Sequence, residues 1–221
     1  MAPFVDERDR WAMRERCWDY SPEVQAVNDK ITFTMSRLNI FVALLRGVNV
    51  GGNNMISMSS LKKSFEAMGF TNVSTYINSG NIIFDAKEKD ARKLEKKIEQ
   101  VLSREYELES KVVVRSFSEM EKLVQSLPRS WGDDSSWRYN VIFLRHTIDS
   151  EDILVELPAN SDIEEVVYRP GTLLWSAQAA QMNQTKMGKL SSRKIFQDMT
   201  VRNLNTTKKL YELMKKAAES S

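Results

Sequence analysis

At 221 residues, 42% apolar and 28% charged, the chain has room for one large domain or two small ones and has the composition of a globular protein. A formal net charge of +2 is too small to capture a polyanion by bulk electrostatics. The single cysteine, Cys17, excludes an internal disulfide and a thiolate metal site, and the single histidine, His146, excludes multi-histidine metal sites.

Sparse cysteine suits a reducing, cytoplasmic setting. No apolar run approaches the roughly 18 residues of a spanning helix, so no membrane partner is expected. The N-terminus lacks the apolar stretch of a secretory signal. Residues 1–34 mix charges densely around Trp11, Trp18 and Tyr20, with 5 Lys+Arg against 7 Asp+Glu. They read as a poorly ordered extension, with a short docked helix or sequence upstream of a natural start at Met35 as the other readings.

The body opens with NIFVALLR (39–46), a continuous apolar run that predicts a buried central strand. RGVNVGGNN (46–54) breaks it. Ser57 caps a predicted helix with Met58, Leu61, Phe65 and Met68 on one face, stopped at Gly69. Strands at 73–78 and 81–86 flank Ser79-Gly80, a hairpin signal. Asp90 opens a long helix with a stripe of Ala91, Leu94, Ile98, Val101 and Leu102. A strand at 111–117 follows. Ser118 and Glu121 then have the spacing of a capping box before a helix that ends at Leu127-Pro128. Val42, Leu44, Leu61, Phe65, Ile98 and Val113 are the expected core.

Residues 128–137 (PRSWGDDSSW) read as a linker. After it the order repeats: a strand at 138–145, a short helix at 150–157 ended by Pro158, and strands at 163–169 and 172–176 around Pro170-Gly171. A weaker helix at 185–197 containing Gly188 comes next, then a strand at 199–203. Asn205 is the expected cap of a final helix carrying Leu210, Tyr211, Met214, Ala217 and Ala218. Both halves therefore read βαββαβ followed by a helix. The predicted fold is α+β, with two ferredoxin-like subdomains in tandem, at 35–127 and 138–221.

That order brings the loop after the first strand and the hairpin between the second and third strands to the same sheet end. The candidate ligand-binding residues follow: Arg46, Asn49, Gly51, Gly52 and Asn53 from the loop, and Asn78, Ser79, Gly80 and Asn81 from the hairpin. Arg202 and Asn203, at a later strand-to-helix junction, complete the set. Glycines and short amides there can present N–H groups to an anion, and Arg46 can pair with phosphate or carboxylate. The same residues also make ordinary turns, and the loop has neither dinucleotide nor P-loop spacing. Ser79 has no sequence-adjacent base, so nucleophilic catalysis by it is not expected. His146 reads first as a surface or packed residue. Lys186, Lys189, Arg193 and Lys194 read as a solvated basic face, and Asp133-Asp134 as a solvated turn rather than a magnesium pair.

ALLRGVNVGGNNMISM, SLKKSFEAMGF, TYINSGNIIF and the late TVRNLNTTKKL together resemble the domain of unknown function 1697 family, a mainly bacterial group, from about Met35 to Lys209. The resemblance implies two α/β subdomains of ferredoxin-like type and no established activity, cofactor or catalytic residue. The family usually carries an aromatic residue where Leu204 stands here. The function expected is a cytoplasmic module that binds a nucleotide, another phosphorylated small molecule or nucleic acid at the Gly/Asn-rich loops. The alternatives are a metal-independent enzyme acting on a phosphorylated or carboxylated small molecule, using Arg46 or Arg202 electrostatically, and a protein–protein interaction module.

Overall fold

The computed structural model describes residues 39–49, 55–157 and 159–220; the extension at 1–34 lies outside them, as do Gly51, Gly52, Asn53 and Pro158. Ser36–Ser221 forms one compact unit.

The first half runs β1 (Ile40–Leu45), α1 (Met58–Ala67), β2 (Thr71–Tyr76), β3 (Asn81–Asp85), α2 (Ala91–Tyr106), β4 (Val112–Ser116) and α3 (Phe117–Ser126). The second runs β5 (Trp137–Leu144), α4 (Ile153–Glu156), β6 (Glu164–Arg169), β7 (Thr172–Gln178), β8 (Met199–Asn203) and α5 (Leu204–Glu219). Each half makes a four-stranded antiparallel sheet, in the orders β2-β3-β1-β4 and β6-β7-β5-β8. This is the strand order of a βαββαβ unit, twice, within one α+β protein.

The apolar run of β1 is continuous because its sheet is covered on both faces. Alternate residues Phe41, Ala43 and Leu45 enter an outer core with Leu61 and Phe65 of α1 and Ile98 of α2. Ile40, Val42 and Leu44 enter a central core instead, with Val113 of β4. All six residues expected in the core are at most 2% exposed. Val141 and Phe143 of β5 meet the same central core from the second sheet, with α3 and α5 between the sheets. The chain after β8 packs back on the first sheet, since α5 contacts β1 and β3 as well as β5 and β8. The second sheet's outer face is covered by α4 and by turns around Met187 and Leu190.

Three local expectations need correction. The helix at 185–197 is instead a set of 3₁₀ turns, Ala179–Gln184, Met187–Ser192 and Lys194–Asp198. The buried Glu164 carboxylate accepts from the N–H groups of Lys186 (2.8 Å) and Met187 (3.3 Å) and from Trp175 Nε1 (3.1 Å). Thr185 Oγ1 accepts from Gly188 N at 3.0 Å. These tertiary and local acceptors compete with the helical ladder. The basic residues there consequently do not share a helix face.

The capping box belongs to Ser116 and Glu119, two residues earlier than the sequence pattern chosen. The cap of α5 is Asn203, whose Oδ1 accepts from Thr206 N at 2.7 Å, not Asn205. In both cases the helix begins at the residue after the strand, with no intervening loop.

Candidate functional site

The loop after β1 and the β2–β3 hairpin meet, as the topology predicts. Asn49, at φ +56°, donates from Nδ2 to Asn78 O and Ile56 O, both at 2.9 Å, and accepts from Ile56 N at 2.8 Å. Its amide is thereby engaged in joining two backbone segments. Ser79 Oγ accepts from Asn81 Nδ2 at 3.1 Å. Gly80, at φ +69°, accepts from Leu45 N at 2.8 Å, and an added Cβ would lie 2.8 Å from Leu45 Cβ. The Asn78 side chain is exposed.

Arg202 reaches this junction from the other sheet. Its Nε donates to Asn81 Oδ1 (2.6 Å), and Nη2 donates to Leu45 O (2.8 Å), Ser79 O (3.0 Å) and Gly80 O (3.3 Å). Nη1 donates to Thr200 Oγ1 and Val201 O, both at 2.8 Å. Burial lowers the guanidinium to about 10, which still leaves it charged at neutral pH. Arg202 and Asn203 are thus a buried clamp and a helix cap. Arg46 stands apart: its guanidinium lies 4.8 Å from the Phe196 ring centroid, and its buried Nε has no hydrogen-bond partner. Leu204 is 5% exposed and packs in the central core.

The pseudo-equivalent edge of the second half opens on a cavity of about 500 Å³, within the usual size range of small-molecule pockets. Both halves supply its wall. Arg92 and Glu95 come from α2, and Glu119 and Lys122 from α3. His146 and Asp149 follow β5, and Arg169 to Thr172 form the β6–β7 hairpin. Arg115 of β4 lies at the junction, its Nη2 donating to Gly171 O at 2.9 Å and to Leu144 O.

Two of the cavity's carboxylates are engaged with protein donors. Asp149 Oδ1 accepts from Gly171 N (2.7 Å) and Tyr168 Oη (2.9 Å), and Glu119 accepts from Ser116 N (2.8 Å) in the capping box. Among the described residues, the Arg92 and Lys122 side chains make no hydrogen bond or ion pair. Arg169 uses one guanidinium nitrogen on Tyr168 O. The wall therefore keeps free cationic donors and few free acceptors.

Glu95 is the exception. It is 2% exposed on α2, with Oε1 accepting from Val114 N at 3.0 Å and Oε2 without a hydrogen-bond partner. His146 Nδ1 lies 3.7 Å from that oxygen and Arg145 Nη2 3.8 Å. Burial raises the Glu95 carboxyl above its ordinary range, against the opposing pull of Val114 N–H, Arg145, Arg115 and His146. Sequence reading missed Glu95 because it sits among the solvated charges of an amphipathic helix. The signal available was its position one residue after Leu94, on the edge of the apolar stripe.

The sequence pattern of the family described as protein of unknown function (DUF1697) matches residues 38–175, and the chain belongs to that family. A conserved bacterial protein from Streptococcus pneumoniae has a similar structure, with a TM-score of 0.71 and 24% identity, covering 80% of this chain and 98% of that one. No curated protein matches the chain in sequence.

Proposed function

We propose that this family member binds a small phosphorylated or carboxylated molecule in the cavity between α2, α3 and the β6–β7 hairpin. The carrying observation is the unengaged cationic side chains of Arg92 and Lys122, joined by Arg169, around one half-open cavity of about 500 Å³. Arginine forks and a lysine ammonium suit phosphate and carboxylate oxygens. The reading keeps the ligand class expected from the sequence and moves the site away from the Gly/Asn-rich loops. There Arg202 and Asn81 already tie the two halves together, and the Asn49 amide ties the loop to the hairpin within the first half.

A small ligand suits this protein better than a nucleic acid. The exposed large apolar side chains among the described residues are Met55, Ile77 and Val155, none of them a ring on which a base can stack. The net charge of +2 is also modest for a phosphate backbone.

The test is a thermal-shift screen of phosphorylated and carboxylated metabolites, followed by titration of the hits. Arg92→Ala and Lys122→Ala should each weaken a hit at least several-fold with the unliganded melting temperature unchanged, because both side chains are exposed. Hits that bind both variants as well as the parent would remove the cavity from consideration.

A further inference from the structure

Glu95 and His146 are the feature of the cavity that simple anion binding does not use. A buried carboxylate oxygen without a donor is costly, and such an oxygen in a folded protein calls for an explanation. The nearest donors face it at 3.7 and 3.8 Å, beyond hydrogen-bond distance. Arg145 does not turn fully to Glu95 because it is shared. It donates to Glu99 and to Val112 O (3.1 Å), and its Nε lies 3.6 Å from Asp198.

The charges around the pair come close to balance without a further proton. Glu95 and Glu99 of α2 and Asp198 before β8 supply three negative charges. Arg145, Arg115 of β4 and Lys111, 3.9 Å from Glu99, supply three positive ones. The rest of the cavity lining holds Asp149 and Glu119 with Arg169, Lys122 and Arg92, the last on the same helix as Glu95. His146 supplies the one imidazole of the lining, and either of its ring nitrogens can carry a proton. Its side chain is 36% exposed, so one ring edge can face Glu95 while the other faces the cavity.

We propose that Glu95 and His146 form a proton-carrying pair that completes the anion site: the ligand enters together with a proton. On binding, one proton is taken from solvent onto the pair. The imidazolium Nδ1–H then donates to Glu95 Oε2, and its Nε2–H donates to the ligand's anionic oxygen. No covalent bond of the ligand is made or broken. Closing 3.7 Å to hydrogen-bond distance needs a shift of well under 1 Å, and such contacts commonly tighten only when a site is filled. The ligand class this selects is a phosphate monoester, a pyrophosphate or a carboxylate that presents two or more anionic oxygens to a site rich in donors. Glu95 acts here as a positioning residue, and His146 as a ligand contact. The proposal rests on the anion-binding reading given above.

Inorganic pyrophosphate, titrated calorimetrically into the full chain, tests both. Runs from pH 6 to 9 in two buffers of different ionisation enthalpy give the protons taken up per ligand. The parent should bind with net uptake of up to about one proton, and weaken as pH rises. His146→Gln should bind several-fold more weakly and take up about one proton fewer than the parent, a difference in which the protons of pyrophosphate itself cancel. Glu95→Gln should also take up less than the parent; its fold is checked by circular dichroism, and His146→Gln at its half-open position supplies the answer independently. Equal proton exchange in the parent and His146→Gln would overturn the pair while leaving the anion site standing. No binding of pyrophosphate or inorganic phosphate by the parent at any of these pH values, with Arg92→Ala equally inert, would overturn the anion site and the pair with it.

Discussion

Arg115 and Arg202 occupy the same place in the two halves, and each clamps the half it does not belong to. Arg115 stands opposite Val42 in β4, and Arg202 opposite Val141 in β8. Arg202 donates to the carbonyls of Leu45 and Gly80, the end of β1 and the turn of the first hairpin. Arg115 donates to the carbonyls of Leu144 and Gly171, the same two positions in the second half. The Gly80 and Gly171 carbonyls also accept within their own sheets, from Leu45 N (2.8 Å) and Leu144 N (2.9 Å). Two arginines thus turn a repeated element order into a mutual interlock.

Arg202→Met should therefore destabilise the protein strongly. It leaves Leu45 O and Ser79 O without the guanidinium and strips Asn81 Oδ1 of its donor. Buried polar groups left unpaired cost about 1–3 kcal/mol each, so the expected loss is at least about 3 kcal/mol in urea unfolding. Arg202→Lys should recover only part, because an ammonium cannot span the planar fork of acceptors. A loss under about 1 kcal/mol for Arg202→Met would mean the clamp is dispensable.

Asn203→Ala should cost about 1 kcal/mol, the usual value of an N-cap, while Asn205→Ala should be within a few tenths of the parent. Ser116→Ala is expected to resemble Asn203→Ala, since Ser116 caps α3 in the same strand-to-helix junction. Equal effects at Asn203 and Asn205 would place the start of α5 elsewhere.

The fold was legible because its signals are local and strong. The β1 run, the caps Ser57 and Asp90 and the Pro170-Gly171 turn each specify one element by themselves. The meeting of loop and hairpin followed from topology alone, and Asn49 on Asn78 realises it. Other features depend on partners far along the chain. Arg202 looks in sequence like a ligand residue, and only its acceptors 121 to 157 residues away make it a clamp. Glu164 dissolves a predicted helix by accepting N–H groups 22 and 23 residues later. The cavity itself needs α2 and α3 of one half against a hairpin of the other, a packing that no single segment encodes.

Ile77 offers a test of turn strain. It is β-branched, 49% exposed and at φ +49° in the first hairpin, where L side chains with branched Cβ are disfavoured. Replacing it by Gly or Asn should stabilise the protein by about 1 kcal/mol, since the left-handed penalty is about 1–2 kcal/mol and little packing is lost. Gly80→Ala, three residues after Ile77 in the same turn, should act in the opposite direction because its Cβ would meet Leu45 Cβ at 2.8 Å. Melting temperatures of the three variants decide the matter; a destabilised Ile77→Gly would show that this side chain packs productively.

The last prediction uses the sign of the Glu95 shift. Burial raises its folded-state value, so between the ordinary carboxylate range near about 4 and that raised value the folded protein binds more protons than the unfolded chain. The stability associated with this group is fully present below the ordinary range and is lost as pH rises through the folded value. Gln cannot lose that proton. Stability measured by urea unfolding from pH 4 to 8 should then show Glu95→Gln gaining on the parent as pH increases, with the difference levelling off above the raised value. Glu105 and Asp134 are lowered by hydrogen bonds from Ser64 and Ser136 and have the opposite sign, losing stability as pH falls. Both proteins share those terms, so they cancel in the difference. Parallel curves for the two proteins would show that Glu95 is ionised at no cost in the folded state, and a gap that opens with pH and then levels off would show the cost of ionising a buried carboxyl whose Oε2 has no donor.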